Sequence, residues 1–152
     1  MTIKSITPFL WFDTQAEDAA KYYVELFPNS RILQTSRYGD FMPDKAGQVM
    51  VVELELMGQR LTFMNGGKHY KLDAAFSLSV GIEDQATLDK LWDALNHAPS
   101  ACGWTTDKFG LVWQLNYSGI PELMKGPNFN KVMAAMMTMI KIDIQQLKDA
   151  AK

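Results

Sequence analysis

Apolar positions along the chain change period several times. Ile3 to Phe12 is apolar and ends at Asp13. From Gln15 to Phe27, the residues Ala16, Ala19, Ala20, Tyr23 and Phe27 recur at helical spacing, and Pro28-Asn29 stops the pattern. A strand-like run extends from Ser30 to Tyr38. Gln48 to Met57 then alternates, with Val52, Leu54 and Leu56 facing one way and Glu53 and Glu55 the other. Gly58-Gln59 reads as a tight turn. Arg60 to Met64 is then the second arm of a hairpin, closed by Asn65-Gly66-Gly67.

The second half runs in the same order. Ala75 to Ile82 alternates, with Phe76, Leu78, Val80 and Ile82 on one face and Ser77, Ser79 and Gly81 on the other. Glu83-Asp84 ends it, and Asp84 is placed to cap a helix, because its carboxylate can accept from free N–H groups of the first turn. That helix is predicted over Gln85 to Asn96, with Leu88, Leu91, Trp92 and Leu95 on one stripe. Cys102 to Thr106 and Leu111 to Tyr117 are further strand candidates, separated by Asp107-Lys108-Phe109-Gly110.

A constant offset of 70 pairs Asp13-Thr14-Gln15-Ala16 with Glu83-Asp84-Gln85-Ala86, Thr7 with Ser77, and Phe9 with Ser79. Pattern alone leaves two readings open. One is a repeated βαβββ unit with pseudo-two-fold packing. The other is two unrelated strand–helix units in an ordinary α+β fold. After Gly126-Pro127-Asn128 the tail changes character. Phe129, Val132, Met133, Met136, Met137 and Ile140 form a helical apolar stripe, and a short helix near Asp143 to Ala150 presents Ile144 and Leu147. Methionine adapts to irregular surfaces, so the stripe suits a core, a pocket wall or an interface.

Composition removes several function classes. The 152 residues suit one domain and can bury roughly two-thirds of the extended surface without a disulfide or metal. With 15 basic and 17 acidic side chains, a net charge of -2 and no Lys/Arg cluster, no nucleic-acid partner is expected. Cys102 is the only cysteine, which favours a reducing compartment. No signal peptide or membrane span is visible, so the expected location is cytoplasmic.

Several segments together are diagnostic: Ile6-Thr7-Pro8-Phe9-Leu10-Trp11-Phe12, the helix with Glu17-Asp18-Ala19-Ala20 and Tyr22-Tyr23, Asn65-Gly66-Gly67, and Cys102-Gly103-Trp104 with Asp107-Lys108-Phe109-Gly110-Leu111-Val112-Trp113-Gln114. In these the chain resembles the PhnB-like family of the vicinal oxygen chelate superfamily, from about Ile3 to Ala151. That superfamily includes glyoxalase and bleomycin-resistance proteins. The resemblance implies an α+β fold in one domain, 1–152: paired βαβββ modules over about 3–66 and 74–118 forming a cupped mixed sheet, plus a C-terminal helical tail over about 121–151. It implies a homodimer as well. Many relatives carry the label 3-demethylubiquinone-9 3-methyltransferase. The residues do not support that chemistry, since none of the ten glycines forms the G-x-G turn of a nucleotide-type cofactor site.

Metal-dependent members of the superfamily place His and Glu on inward strand positions. The aligned positions here are Thr7 and Phe9, Thr62 and Met64, Ser77 and Ser79, and Gln114 and Asn116. Gln114 stands where a carboxylate is needed, and a neutral amide is a poor substitute, so no metal or other cofactor is expected. His69 is either a general acid/base or a solvated loop residue beside Lys68 and Lys71, and the second reading is preferred. Cys102 has no activating neighbour in sequence and reads as a buried structural thiol.

The expected ligand-facing residues are Phe9, Trp11, Thr62, Met64, Ser77, Ser79, Gln114 and, closing one side, Trp104. Such a mix of apolar walls and a few polar groups suits a small hydrophobic or aromatic molecule, although the same aromatic residues could simply fill a solid core. Three functions compete: a metal-free binding protein, an enzyme acting on a small organic substrate, and a dimeric scaffold using the Met-rich stripe.

Overall fold

The computed structural model describes residues 1–152. The chain forms two compact units, residues 1–72 and 73–152. The first holds β1 (Phe9–Phe12), α1 (Ala16–Leu26), β2 (Arg31–Arg37), β3 (Val49–Leu56) and β4 (Gln59–Asn65). The second holds β5 (Leu78–Ile82), α2 (Gln85–Leu95), β6 (Ala98–Pro99), β7 (Trp104–Thr106) and β8 (Val112–Tyr117), then α3 (Ile120–Lys125), α4 (Phe129–Met137) and α5 (Ile144–Ala150).

Each unit has one four-stranded mixed sheet, ordered β1-β4-β3-β2 and β5-β8-β7-β6. In each, the first strand runs parallel to the fourth, and the other pairings are antiparallel. Phe9 stands opposite Thr62, and Ser79, its counterpart at an offset of 70, stands opposite Gln114. This shared topology decides between the two readings: the chain is a repeated βαβββ unit in an α+β fold.

Alternation explains which face of each sheet is covered. In the first unit Leu10, Phe12, Leu61, Phe63, Val52 and Leu54 are buried, as are Ala16, Ala19, Ala20 and Tyr23 of α1, which packs on β3 and β4. The small alanines let the helix approach closely, and Tyr23 meets Phe63 edge-on at 5.9 Å. In the second unit Trp113 and Leu115 lie beneath Leu88, Leu91, Trp92 and Leu95 of α2. Each such large side chain contributes roughly 1.5–3 kcal/mol when fully buried. Asp84 caps α2 as expected, accepting from the Thr87 N–H at 2.8 Å.

Several boundaries differ from the sequence reading. β1 begins at Phe9 rather than Ile3, because Pro8 accepts from the Thr62 N–H but has no N–H to carry the ladder further. The β3–β4 turn is Met57-Gly58 rather than Gly58-Gln59; both residues have positive φ (48° and 88°), as the hairpin twist requires. β5 starts at Leu78, since Asp73 holds the chain in a local turn through the Ala75 N–H, and Phe76 stays exposed. β7 starts at Trp104, because Cys102 and Gly103 are left-handed (φ 60° and 79°). The short helix α3, with Pro121 in its first turn, opens the expected C-terminal helical tail.

The tail folds with the second unit. Its predicted stripe is divided: Val132 is buried, whereas Phe129, Met137 and Ile140 are exposed. α4 ends at Met137, so helical spacing no longer governs residues 138–143. There, the Met139 and Ile140 carbonyls accept from the N–H groups of Cys102 and Gly103, and Met139 and Ile142 turn inward instead.

Candidate functional site

The faces opposite the helices carry the expected ligand-facing residues, but the two units use them differently. In the first unit Phe9, Trp11, Thr62 and Met64 share one face, with Phe9 59% exposed. Trp11 is held in place. Its indole N–H donates to the Gly67 carbonyl at 2.7 Å, Tyr70 meets it edge-on at 5.1 Å, and its ring lies where a side chain at residue 66 would sit. Glu53 stands opposite Thr62 on β3, so this face also carries a carboxylate that was not included among the inward positions. None of the four lines the unit's own depression of about 330 Å³, which is walled by Asp13, Glu17, Asp18, Tyr38 and Lys45 among others.

In the second unit a depression of about 410 Å³ brings together Ser79, Trp104 and Gln114. Asn116, Tyr117, Cys102 and Met136 also line it. Register explains the strand residues: Ser79 and Trp104 flank Gln114 on the neighbouring strands. Ser77 stands behind, accepting from Gln114 Nε2 at 2.8 Å, and Ser79 accepts from Asn116 Nδ2 at 3.5 Å. Two strand amides thus each meet a serine, Ser79 within β5 and Ser77 just before it. Tyr117 has Lys148 Nζ 5.1 Å from its ring centroid. Cys102 proves half-buried rather than buried, its thiol 3.6 Å from the Met136 carbonyl. Asn116 was legible from strand alternation, and Met136 belongs to the stripe read as suiting a core, a pocket wall or an interface, but Tyr117 carried no sequence signal for this role.

The diagnostic segment builds this site. Gly103 sits where an added Cβ would lie 2.6 Å from the Leu115 carbonyl oxygen, so only glycine lets the chain turn there and deliver Trp104 beside Gln114. Asp107 is buried, and its carboxylate accepts from the Phe109 and Leu111 N–H groups at 2.8 and 3.1 Å and from the Trp113 indole at 2.7 Å. It therefore fixes the β7–β8 connection and the strand that presents Gln114 and Asn116.

The donor set does not suit a divalent metal. The inward positions named from the resemblance hold Thr7, Phe9, Thr62, Met64, Ser77, Ser79, Gln114 and Asn116, none of them an imidazole or a carboxylate, and no group of three or more His, Cys, Asp or Glu side chains is gathered to hold an ion. His69 and His97 are exposed, and His69 meets only the edge of Tyr70, at 5.7 Å. The carboxyls held below their ordinary range lie outside the depression: Asp84 through the Thr87 N–H, Asp89 through Lys141 and Asp149 through Lys152.

Residues 4–116 match the family described as 3-demethylubiquinone-9 3-methyltransferase. The chain belongs to this family. The match stops at 116, so α3 to α5 lie beyond it, although the resemblance read from sequence ran to Ala151. The solved PhnB protein of Bacillus cereus is 30% identical, over 73% of this chain and 97% of its own, with a TM-score of 0.66. A Pseudomonas aeruginosa protein shares the fold at 20% identity, with 73% and 95% coverage and a TM-score of 0.59. A glyoxylase/bleomycin resistance protein/dioxygenase domain from Frankia aligns more loosely, at 13% identity over 74% and 90% of the two chains, with a TM-score of 0.46. No curated protein matches the chain. No helix is long and apolar enough to cross a membrane.

Proposed function

We propose that this PhnB-like family member is a metal-free binding protein for a small organic molecule, held in the depression of the second unit. The observation that carries the reading is the wall itself. Trp104, Tyr117 and Met136 offer apolar area, and Ser79, Gln114 and Asn116 offer neutral hydrogen-bonding groups. Sites of this kind take affinity from apolar contact and orientation from a few polar atoms. No imidazole, carboxylate or amine lines the depression, whose ionisable groups are the Cys102 thiol and the Tyr117 hydroxyl. The absence of the stronger acid–base groups favours binding over turnover.

In this reading the protein works as a cytoplasmic homodimer. The exposed Phe129, Met137 and Ile140 of the second unit support a covered apolar surface in the assembly. Native mass spectrometry of gently purified protein tests the proposal. The expected species is a dimer with a non-covalent organic adduct and no stoichiometric metal. Trp104→Ala should lose the adduct while the melting temperature changes little. An adduct kept unchanged by Trp104→Ala, or about one metal ion per chain surviving chelator dialysis, overturns the reading.

A further inference from the structure

The geometry points to the class of ligand: an uncharged, flat molecule with an amide or lactam edge, recognised by Gln114 and Asn116 beside the Trp104 ring. This rests on the binding reading above and narrows it.

Every residue of the depression wall is uncharged. The cation beside it, Lys148, stands over the Tyr117 ring. A carboxylate or ammonium entering such a site would give up hydration without meeting an opposite charge, and that loss is costly. The unit's other large depression, about 740 Å³, differs in kind: Glu83, Asp84, Asp89, Lys141 and Lys148 line it, and Lys141 pairs with Asp89 at 2.6 Å. The neutrality of the first depression is therefore a local property, not one shared by the whole unit.

Hydrogen bonding narrows the class further. Gln114 and Asn116 lie two apart on β8, so both amides project from the same face. Each commits an amide N–H to a serine, Gln114 to Ser77 and Asn116 to Ser79. The Gln114 amide is thereby oriented before any ligand arrives, whereas the Asn116 contact, at 3.5 Å, is the weaker of the two. Each keeps a carbonyl oxygen to accept and a second N–H to donate. A carboxamide pairs with its own kind, because a neighbouring N–H and C=O meet a C=O and N–H in return. The complement of this edge is a primary amide, a lactam or a heterocycle with an adjacent N–H and C=O. Trp104, directly across from Gln114, supplies a broad apolar face on which a planar ring can lie.

Benzamide, benzoate and benzamidine test this, being alike in size and different in charge. Each is titrated into the full-length protein, following the Trp104 indole N–H and the Gln114 and Asn116 side-chain amides by NMR. Benzamide is expected to shift these signals, with the two charged analogues at least about tenfold weaker. Gln114→Glu keeps the side-chain shape and places a carboxylate in the wall. It should move the preference to benzamidine, and Gln114→Leu should weaken benzamide without favouring either ion. Equal binding of all three would overturn the inferred class but leave the depression as a binding site. Stronger binding of either ion to the natural sequence, or no shift with any probe, also overturns it. The adduct measurement on the unmodified protein decides the broader reading independently.

Discussion

The two units share a topology and a register but differ in how they hold their helices and what their open faces carry. In the first, α1 has no side-chain cap of its own. The buried Asn65, 49 residues along the chain at the end of β4, accepts from the Ala16 N–H at 2.8 Å and donates to the Val49 carbonyl at 3.1 Å. In the second, α2 is capped by its neighbour Asp84. The open face of the first unit carries Phe9, Trp11 and Met64 beside Thr62 and the Glu53 carboxylate, with its indole pinned by the chain after β4. That of the second carries serines and amides around Trp104. The repeat therefore preserves what packs against the helix and lets the other face diverge. Core volume is set by close packing, whereas an open face answers only to its ligand or partner.

The largest expected effect is on the buried polar residues that hold each unit. Asp107→Ala would strand the Trp113 indole and two backbone donors, at a cost of about 3 kcal/mol or more. Asn65→Ala should cost less, about 2 kcal/mol, because a neutral amide makes weaker bonds than a carboxylate. Urea denaturation of both variants checks the order; a more damaging Asn65→Ala would mean that the first unit depends more on its polar anchor.

Next come the two tryptophans. Trp11→Ala removes the bond to Gly67 and the contact with Tyr70, so it should lower stability by about 1–2 kcal/mol. Trp104→Ala should act on the adduct instead. Thermal melts beside native mass spectra separate the roles, and a lost adduct with unchanged melting in Trp11→Ala would move the ligand to the first unit's face.

The smallest effect concerns pH. The Thr87 N–H holds the Asp84 carboxyl below its ordinary 3.8. Its folded value lies under its unfolded one, so the cap contributes fully above 3.8 and is lost as pH falls through the lowered native value. Wild type and Asp84→Ala should differ most near neutrality and converge in acid. The penalty of Asn65→Ala should not converge, since an amide does not titrate. Melting temperatures from pH 7 downward (about 7 to 2.5, spanning the carboxyl range) read the contrast.

Local rules made α1, α2, β3, β4 and β8 legible, along with the Asp84 cap, because each depends on residues close in sequence: period, alternation, a side chain three residues from the N–H it accepts. The resemblance pointed to Ser79, Trp104 and Gln114, which the fold does gather in one depression. It pointed equally to Phe9, Trp11, Thr62 and Met64, which share a face and lie outside the depression walled by Asp13, Glu17 and Tyr38. Sequence alternation gives the face of a strand; it does not say whether that face is hollow.

The sequence by itself determined the order of strand, helix and hairpin within each half, the residues that cover each helix-facing core, and the chemical types on the open faces, but not that the halves are one repeated unit. Only the tertiary structure decided that β1 begins after Pro8, that Asn65 caps a helix 49 residues away, that Asp107 is a buried anchor, and that the Met-rich stripe breaks so Met139 and Ile142 can turn inward. The physical reason is reach. Periodicity and capping are settled within a turn or two of chain, whereas a buried polar group must find whichever donor the packed fold brings to it.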